Sequence, residues 1–189
     1  MSVAKRYVPA TGSVWALPFA SVALGALLLL PGGRTAYLVG LTIAATLAAA
    51  LIAAEDYRTG LLRNRWTGPF IFAGLIQVFI AAIGTQPWTR TAAPCLLGAT
   101  ITTSLYLLLG LLGWVGFGDV KFAAGLALIV AIPAGWAGLY LLPLALAFST
   151  LPRIFRRLAA LPQRGRSAHG PALASAVALI MIAGCLDSP

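Results

Sequence analysis

The chain has 189 residues, of which 60% are hydrophobic and only 9% charged. A soluble domain carries about 25% charged residues to clothe its surface, so most of this chain has lipid, not water, as its solvent. Thirteen Lys and Arg against four Asp and Glu give a net charge of +9; because the basic residues lie mostly between apolar segments, they point to membrane topology and anionic lipid rather than to nucleic acid.

A spanning helix needs about 20 mainly apolar residues rising ~1.5 Å each. The first candidate, 13–31, follows Lys5 and Arg6 and stops at Pro31-Gly32-Gly33, a turn that suits a retained helix better than a cleaved signal peptide. A second covers 36–54 and gives way to the polar run from Asp56 to Arg65. The third, 66–84, and the fourth, 92–113, are parted by the stretch from Gly84 to Arg90, and the fourth ends in the stretch from Gly113 to Gly118. Next come a short segment, 119–132, and another, 136–151, with Pro133-Ala134-Gly135 between them. A basic loop over about 152–169 precedes the last segment, 170–186. The expected fold is an all-α polytopic membrane bundle of about seven transmembrane helices, with no soluble domain and no internal repeat.

Charge decides against merging the fifth and sixth segments. With seven helices and a cytoplasmic N-terminus, every Lys and Arg except Arg34 and Arg90 falls on the cytoplasmic side, and the C-terminus lies outside. Merging would move Arg153, Arg156, Arg157, Arg164 and Arg166 outside, against the retention of positive charge in the cytoplasm.

Cys95 and Cys185 sit in apolar stretches without CxxC spacing and read as small buried hydrophobes. The single histidine, His169, excludes a multi-histidine metal site. No metal and no cofactor is expected. The GxSxG of serine hydrolases and the HExxH of zinc proteases are also missing.

The acids are Glu55, Asp56, Asp119 and Asp187. Asp187 falls in the C-terminal tail, in water; the other three map to the cytoplasmic ends of the second and fifth helices. An ionisable residue at membrane depth marks a functional site by default. Two carboxyls about 3 Å apart cannot both ionise cheaply, so one stays a base toward water while its protonated neighbour donates to a scissile carbonyl. Asp56 and Asp119 are the candidate pair. Glu55 points about 100° away from Asp56 on a helix and is left out.

Gly116-Phe117-Gly118-Asp119 followed by Lys121 resembles the GxGD(x)K signature of the prepilin peptidases, membrane aspartyl proteases that remove the leader of type IV prepilins and pseudopilins. Asp56, Arg58 and Asn64 match that family's D-x-R…N stretch, and His169-Gly170-Pro171 looks like the Gly-Pro that opens its last core helix. The ordered set spans about 56–173. The resemblance implies catalytic Asp56 and Asp119, supported by Gly116, Gly118, Lys121, Arg58, Asn64, Gly170 and Pro171. It also implies a prepilin or pseudopilin partner cut after a glycine at the cytoplasmic face of the inner membrane. Leu62-Arg63 stands where the family has Ile-Pro, and the insert with paired CxxC motifs found in the bifunctional members is missing, which implies a peptidase without methyltransferase activity. Residues 1–35 read as a tail and an extra helix ahead of a six-helix core over 36–189.

Each residue also has a plainer role. Asp119 suits the N-cap of a helix starting at Val120, and Asn64 suits the cap of the third helix. Gly116 and Gly118 either fill a loop or leave room for an extended substrate backbone. Lys121 snorkels to the interface or else keeps Asp119 ionised or touches substrate. Arg58, Arg63 and Arg65 serve topology, the arginines of 153–166 form a solvated, lipid-facing loop, and His169 is a non-catalytic interface histidine. A small transporter or channel would need carboxylates near the midplane. A non-catalytic scaffold of a pilus or secretion system would not need the glycine spacing. A presenilin-type protease pairs its GxGD with Tyr-Asp, whereas the order here is Asp56-Tyr57.

Overall fold

The computed structural model describes residues 16–30, 32–60, 62, 64–84, 89–159 and 169–186. Among these there are no strands, and seven α-helices succeed one another: α1 (Ala16–Gly25), α2 (Gly33–Thr59), α3 (Asn64–Gly84), α4 (Thr89–Leu111), α5 (Phe117–Ala134), α6 (Leu141–Leu158) and α7 (Gly170–Leu186). Short 3-10 turns, Ala26–Leu29 and Gly135–Tyr140, follow α1 and α5. Lys5, Arg6, Pro31, Arg63, Arg164, Arg166 and Asp187 lie outside the described residues.

The exposed apolar side chains identify the solvent. Along α2, Val39, Ile43, Leu47 and Leu51 form an exposed stripe, while Leu38, Leu41, Ala45, Ala49, Ile52 and Ala53 are buried on the other side. A stripe of that length facing water would be costly; facing acyl chains it costs nothing. Gly33–Thr59, Asn64–Gly84 and Thr91–Leu111 are each long and apolar enough to cross a bilayer, as is the 42-residue stretch Phe117–Leu158. That stretch would run roughly 63 Å as one straight helix, about twice the hydrocarbon thickness. It breaks at the expected place, where Gly135 takes φ +54° just after Pro133.

α5 is the central helix. Phe122, Ala123, Leu126, Ala127, Leu128, Ile129, Val130 and Ala131 are all buried, so the helix is apolar all round. It packs against α3, α4 and α7. Small residues permit close approach: a Cβ on Gly125 would come within 2.8 Å of the Phe70 ring on α3.

Helix boundaries differ from the sequence reading in α2, α6 and α1, and at the start of α5, which begins at Phe117. α2 runs past Asp56 to Thr59 and ends at Gly60, which takes φ +64° and donates its N–H to the Asp56 carbonyl at 2.7 Å. Asp56 is therefore a helical residue in the last turn rather than the start of a loop. α6 continues through Pro152 to Leu158, so Arg153, Arg156 and Arg157 lie on a helix and not in a loop. Proline costs α6 one hydrogen bond, but Leu151, Ile154, Phe155 and Leu158 keep a helical spacing on one exposed face. α1 has only 10 residues, short of a full crossing in the part described.

Candidate functional site

The site is built from three chain segments that meet at one end of the bundle. The first is the last turn of α2, where Asp56 is buried at 5% exposure. Its Oδ2 accepts the Gly170 N–H at 2.9 Å, and its other oxygen has no hydrogen-bond partner among the described residues. Gly170 opens α7, with Pro171 in the first turn, where a missing N–H costs nothing. Glycine is required at 170 by proximity: a Cβ there would lie 2.8 Å from Asp56 Oδ2 and 3.3 Å from Ala53 Cα. The sequence suggested a helix opener; the tertiary contact shows a backbone donor aimed at a buried carboxylate.

The second segment is the start of α5. Gly116, extended at φ −79° and ψ 150°, is the N-cap, and Asp119 is the third helical residue. Asp119 Oδ2 accepts the Gly116 N–H at 3.1 Å. The expectation of Asp119 as N-cap is thus corrected by one turn: the helix begins at Phe117 because Gly116 takes the extended cap conformation, and Asp119 reaches back as the acidic partner of a capping box. Asp119 remains half-buried, with Trp114 and Phe117 exposed beside it.

The third segment joins α2 to α3. Asn64 Oδ1 accepts from Lys121 Nζ at 2.8 Å, so the lysine two residues past Asp119 is tied to the asparagine eight residues past Asp56. Leu62 occupies the space above Gly118, where a Cβ would come within 2.7 Å of Leu62 Cβ and 2.8 Å of its carbonyl oxygen. The absent side chain at 118 therefore admits a neighbouring loop, the plainer of the two roles the sequence left open for this glycine. Gly116 is exposed. Arg58 is exposed on the last turn of α2, and Glu55 pairs instead with Arg65 at 3.8 Å.

Two further residues join the site. Tyr106 on α4 is fully buried, and its Oη lies 3.1 Å from His169 Nε2, with the ring centroids 5.8 Å apart. Burial, and then the Arg153 guanidinium, push His169 down to about 4, so its ring is neutral near pH 7. Tyr106 carried no signal in the sequence, being one aromatic residue within an apolar span. Its only cue was a polar hydroxyl at membrane depth, which needs a partner.

The sequence profile of the type IV leader peptidase family matches residues 43–155, more than half of the chain. The match contains Asp56, Asn64, Asp119 and Lys121 and stops short of Gly170. No curated protein and no solved structure matches the chain.

Proposed function

This chain belongs to the type IV leader peptidase family and is a membrane peptidase, and on that premise we propose that it is an aspartyl endopeptidase using Asp56 and Asp119 to cut prepilin or pseudopilin leaders. The observation that supports this most is the bond of Lys121 to Asn64 at 2.8 Å. It clamps the segment bearing one aspartate to the segment following the other.

In the proposed reaction one carboxylate takes a proton from water while the oxygen attacks the scissile carbonyl carbon. The protonated partner donates to the carbonyl oxygen. The tetrahedral diol then collapses, the C–N bond breaks, and the leaving amine takes up a proton. Two carboxyls sharing one proton supply both roles at neutral pH.

Asp56 lies near the end of a 27-residue helix. That helix is about 40 Å long and overshoots the ~30 Å hydrocarbon layer, so this end belongs at the membrane boundary. We place it on the cytoplasmic side of the inner membrane, with a cytoplasmic N-terminus, an outside C-terminus and anionic lipid against the basic residues. The substrate's basic leader would stay in water and its apolar helix in the bilayer, entering past exposed Trp114 and Phe117. The core proposed for this work is 36–189, with residues 1–35 additional to it. The reading predicts a peptidase without methyltransferase activity.

The test is co-expression with a prepilin and a gel-shift readout of leader removal. Wild type should cleave, while Asp56→Ala and Asp119→Ala, inserted normally, should not. Cleavage by both variants would make the aspartates structural and end the proposal.

A further inference from the structure

We propose that Tyr106 and His169 act as a positioning pair for the Asp56 carboxylate, working through the Gly170 amide. The inference rests on the carboxylate reading above and adds two residues to it.

Among the described residues the Asp56 carboxylate has one backbone donor, the Gly170 N–H at 2.9 Å. That amide belongs to the peptide unit joining His169 to Gly170, so its direction is set by how residue 169 is held. On the helical side His169 is tied by its carbonyl, which accepts the Leu173 N–H at 3.1 Å. On the other side its ring is pinned by Tyr106 from α4, Oη to Nε2 at 3.1 Å. Both residues are buried. Their bond links α4 to the head of α7, and through Gly170 to α2.

An apolar interior has no need of this arrangement for packing alone. Two rings without polar heads would fill the same space, and burying a hydroxyl and an imidazole is costly unless they satisfy each other. What the polar heads add is direction: a hydrogen bond fixes the imidazole's rotation in a way dispersion contacts do not. The neutral ring shares a single proton with Tyr106, which atom donates depending on the tautomer. The chain of contacts therefore runs from Tyr106 through His169 and the Gly170 amide to Asp56. Slack anywhere along it would let the Asp56 oxygen rotate away from the attacking water. Misplacements of this kind reduce turnover more than substrate binding.

The experiment uses the purified full-length chain in lipid nanodiscs with a prepilin, measuring kcat, KM and thermal unfolding. The variants are Tyr106→Phe, His169→Ala, His169→Gln, the Tyr106→Phe/His169→Ala double variant and Asp56→Asn. Tyr106→Phe and His169→Ala should each lower kcat about tenfold, the loss of one buried hydrogen bond, with KM held within roughly twofold. The double variant should be no worse than the worse single one, because the pair acts as a unit. His169→Gln should recover most of the turnover, its side-chain amide standing near the Nε2 position. Unchanged kcat in Tyr106→Phe and His169→Ala, with only the unfolding temperature lowered, overturns the pair as positioning residues and leaves the carboxylates untouched. The pair is equally overturned if His169→Gln is no better than His169→Ala. Full cleavage by Asp56→Asn removes the carboxylate reading and the pair with it.

Discussion

The two ends of α2 carry two buried polar clusters of different character. At one end Tyr37 Oη donates to Gln77 Oε1 at 2.7 Å, and Gln77 Nε2 donates to the Ser21 carbonyl at 2.9 Å. This neutral network staples α1, α2 and α3 together. At the other end, roughly 28 Å along the helix at ~1.5 Å per residue, Asp56 takes one donor from Gly170 while Tyr106 and His169 engage each other nearby. The first cluster satisfies its polar groups with one another and has no proton to trade near neutral pH. The second contains an ionisable group with one oxygen unengaged among the described residues. A membrane protein bears the cost of a buried polar cluster for structure or for chemistry, and the spare capacity separates the two cases.

The contrast breaks outright if carboxylate chemistry is unnecessary. Asp56→Asn and Asp119→Asn should each lower leader cleavage more than about a thousandfold, on the order of 4 kcal/mol in the barrier. Wild-type rates in either variant, measured in nanodiscs at equal protein, would erase the distinction between the two ends. The next largest effect is on stability against pH. His169 is held at about 4, below its ordinary 6.5. Its folded pKa is depressed, so the unfolded chain binds the proton first. Stability is complete above about pH 6.5 and is lost as pH falls toward 4, by roughly 3 kcal/mol. Thermal unfolding across that window should show the slope in wild type and lose it in His169→Gln; an unaltered slope in the variant would assign it to another group.

Gly170→Ala is smaller in energy and more local. The added methyl would press on Asp56 at 2.8 Å, and a shift of the carboxylate by up to 1 Å should cost on the order of a hundredfold in kcat. Normal turnover would show that the Gly170 amide is not what orients Asp56. Gln77→Leu is the counterpart at the other end. It removes the side-chain partners that Gln77 gives the Tyr37 hydroxyl and the Ser21 carbonyl and should destabilise by about 2 kcal/mol, with kcat unchanged in the surviving folded protein. A fall in kcat there would mean that the two ends are coupled.

Much of the fold is legible because the bilayer forces backbone hydrogen bonds to close locally, so each apolar segment reads as its own helix. The break after Pro133, the helix from 170 and the membrane class all follow from patterns within about twenty residues. The boundary at Asp56 escapes such a reading because Gly60, not the first acidic residue, carries the stop signal for α2. The end of α6 escapes it because Pro152 masks the recurrence of Leu151, Ile154, Phe155 and Leu158.

For the site, the residue types and their spacing are available from sequence: Asp56 with Asn64, Asp119 with Lys121, and Gly170. Their partners are not. Lys121 and Asn64 are 57 positions apart, and Gly170 and Asp56 are 114 apart. Nothing in the spacing specifies a contact across such separations. Tyr106 is silent because an aromatic within an apolar span looks the same whether it faces lipid or a histidine. By itself the sequence determined a polytopic helical membrane peptidase, since hydrophobicity acts over single helices and motif residues keep their order. The tertiary structure alone decided that an α7 amide holds Asp56, that Leu62 fills the space at Gly118 and that Tyr106 meets His169, because helices pack through surfaces whose pairing no single segment encodes.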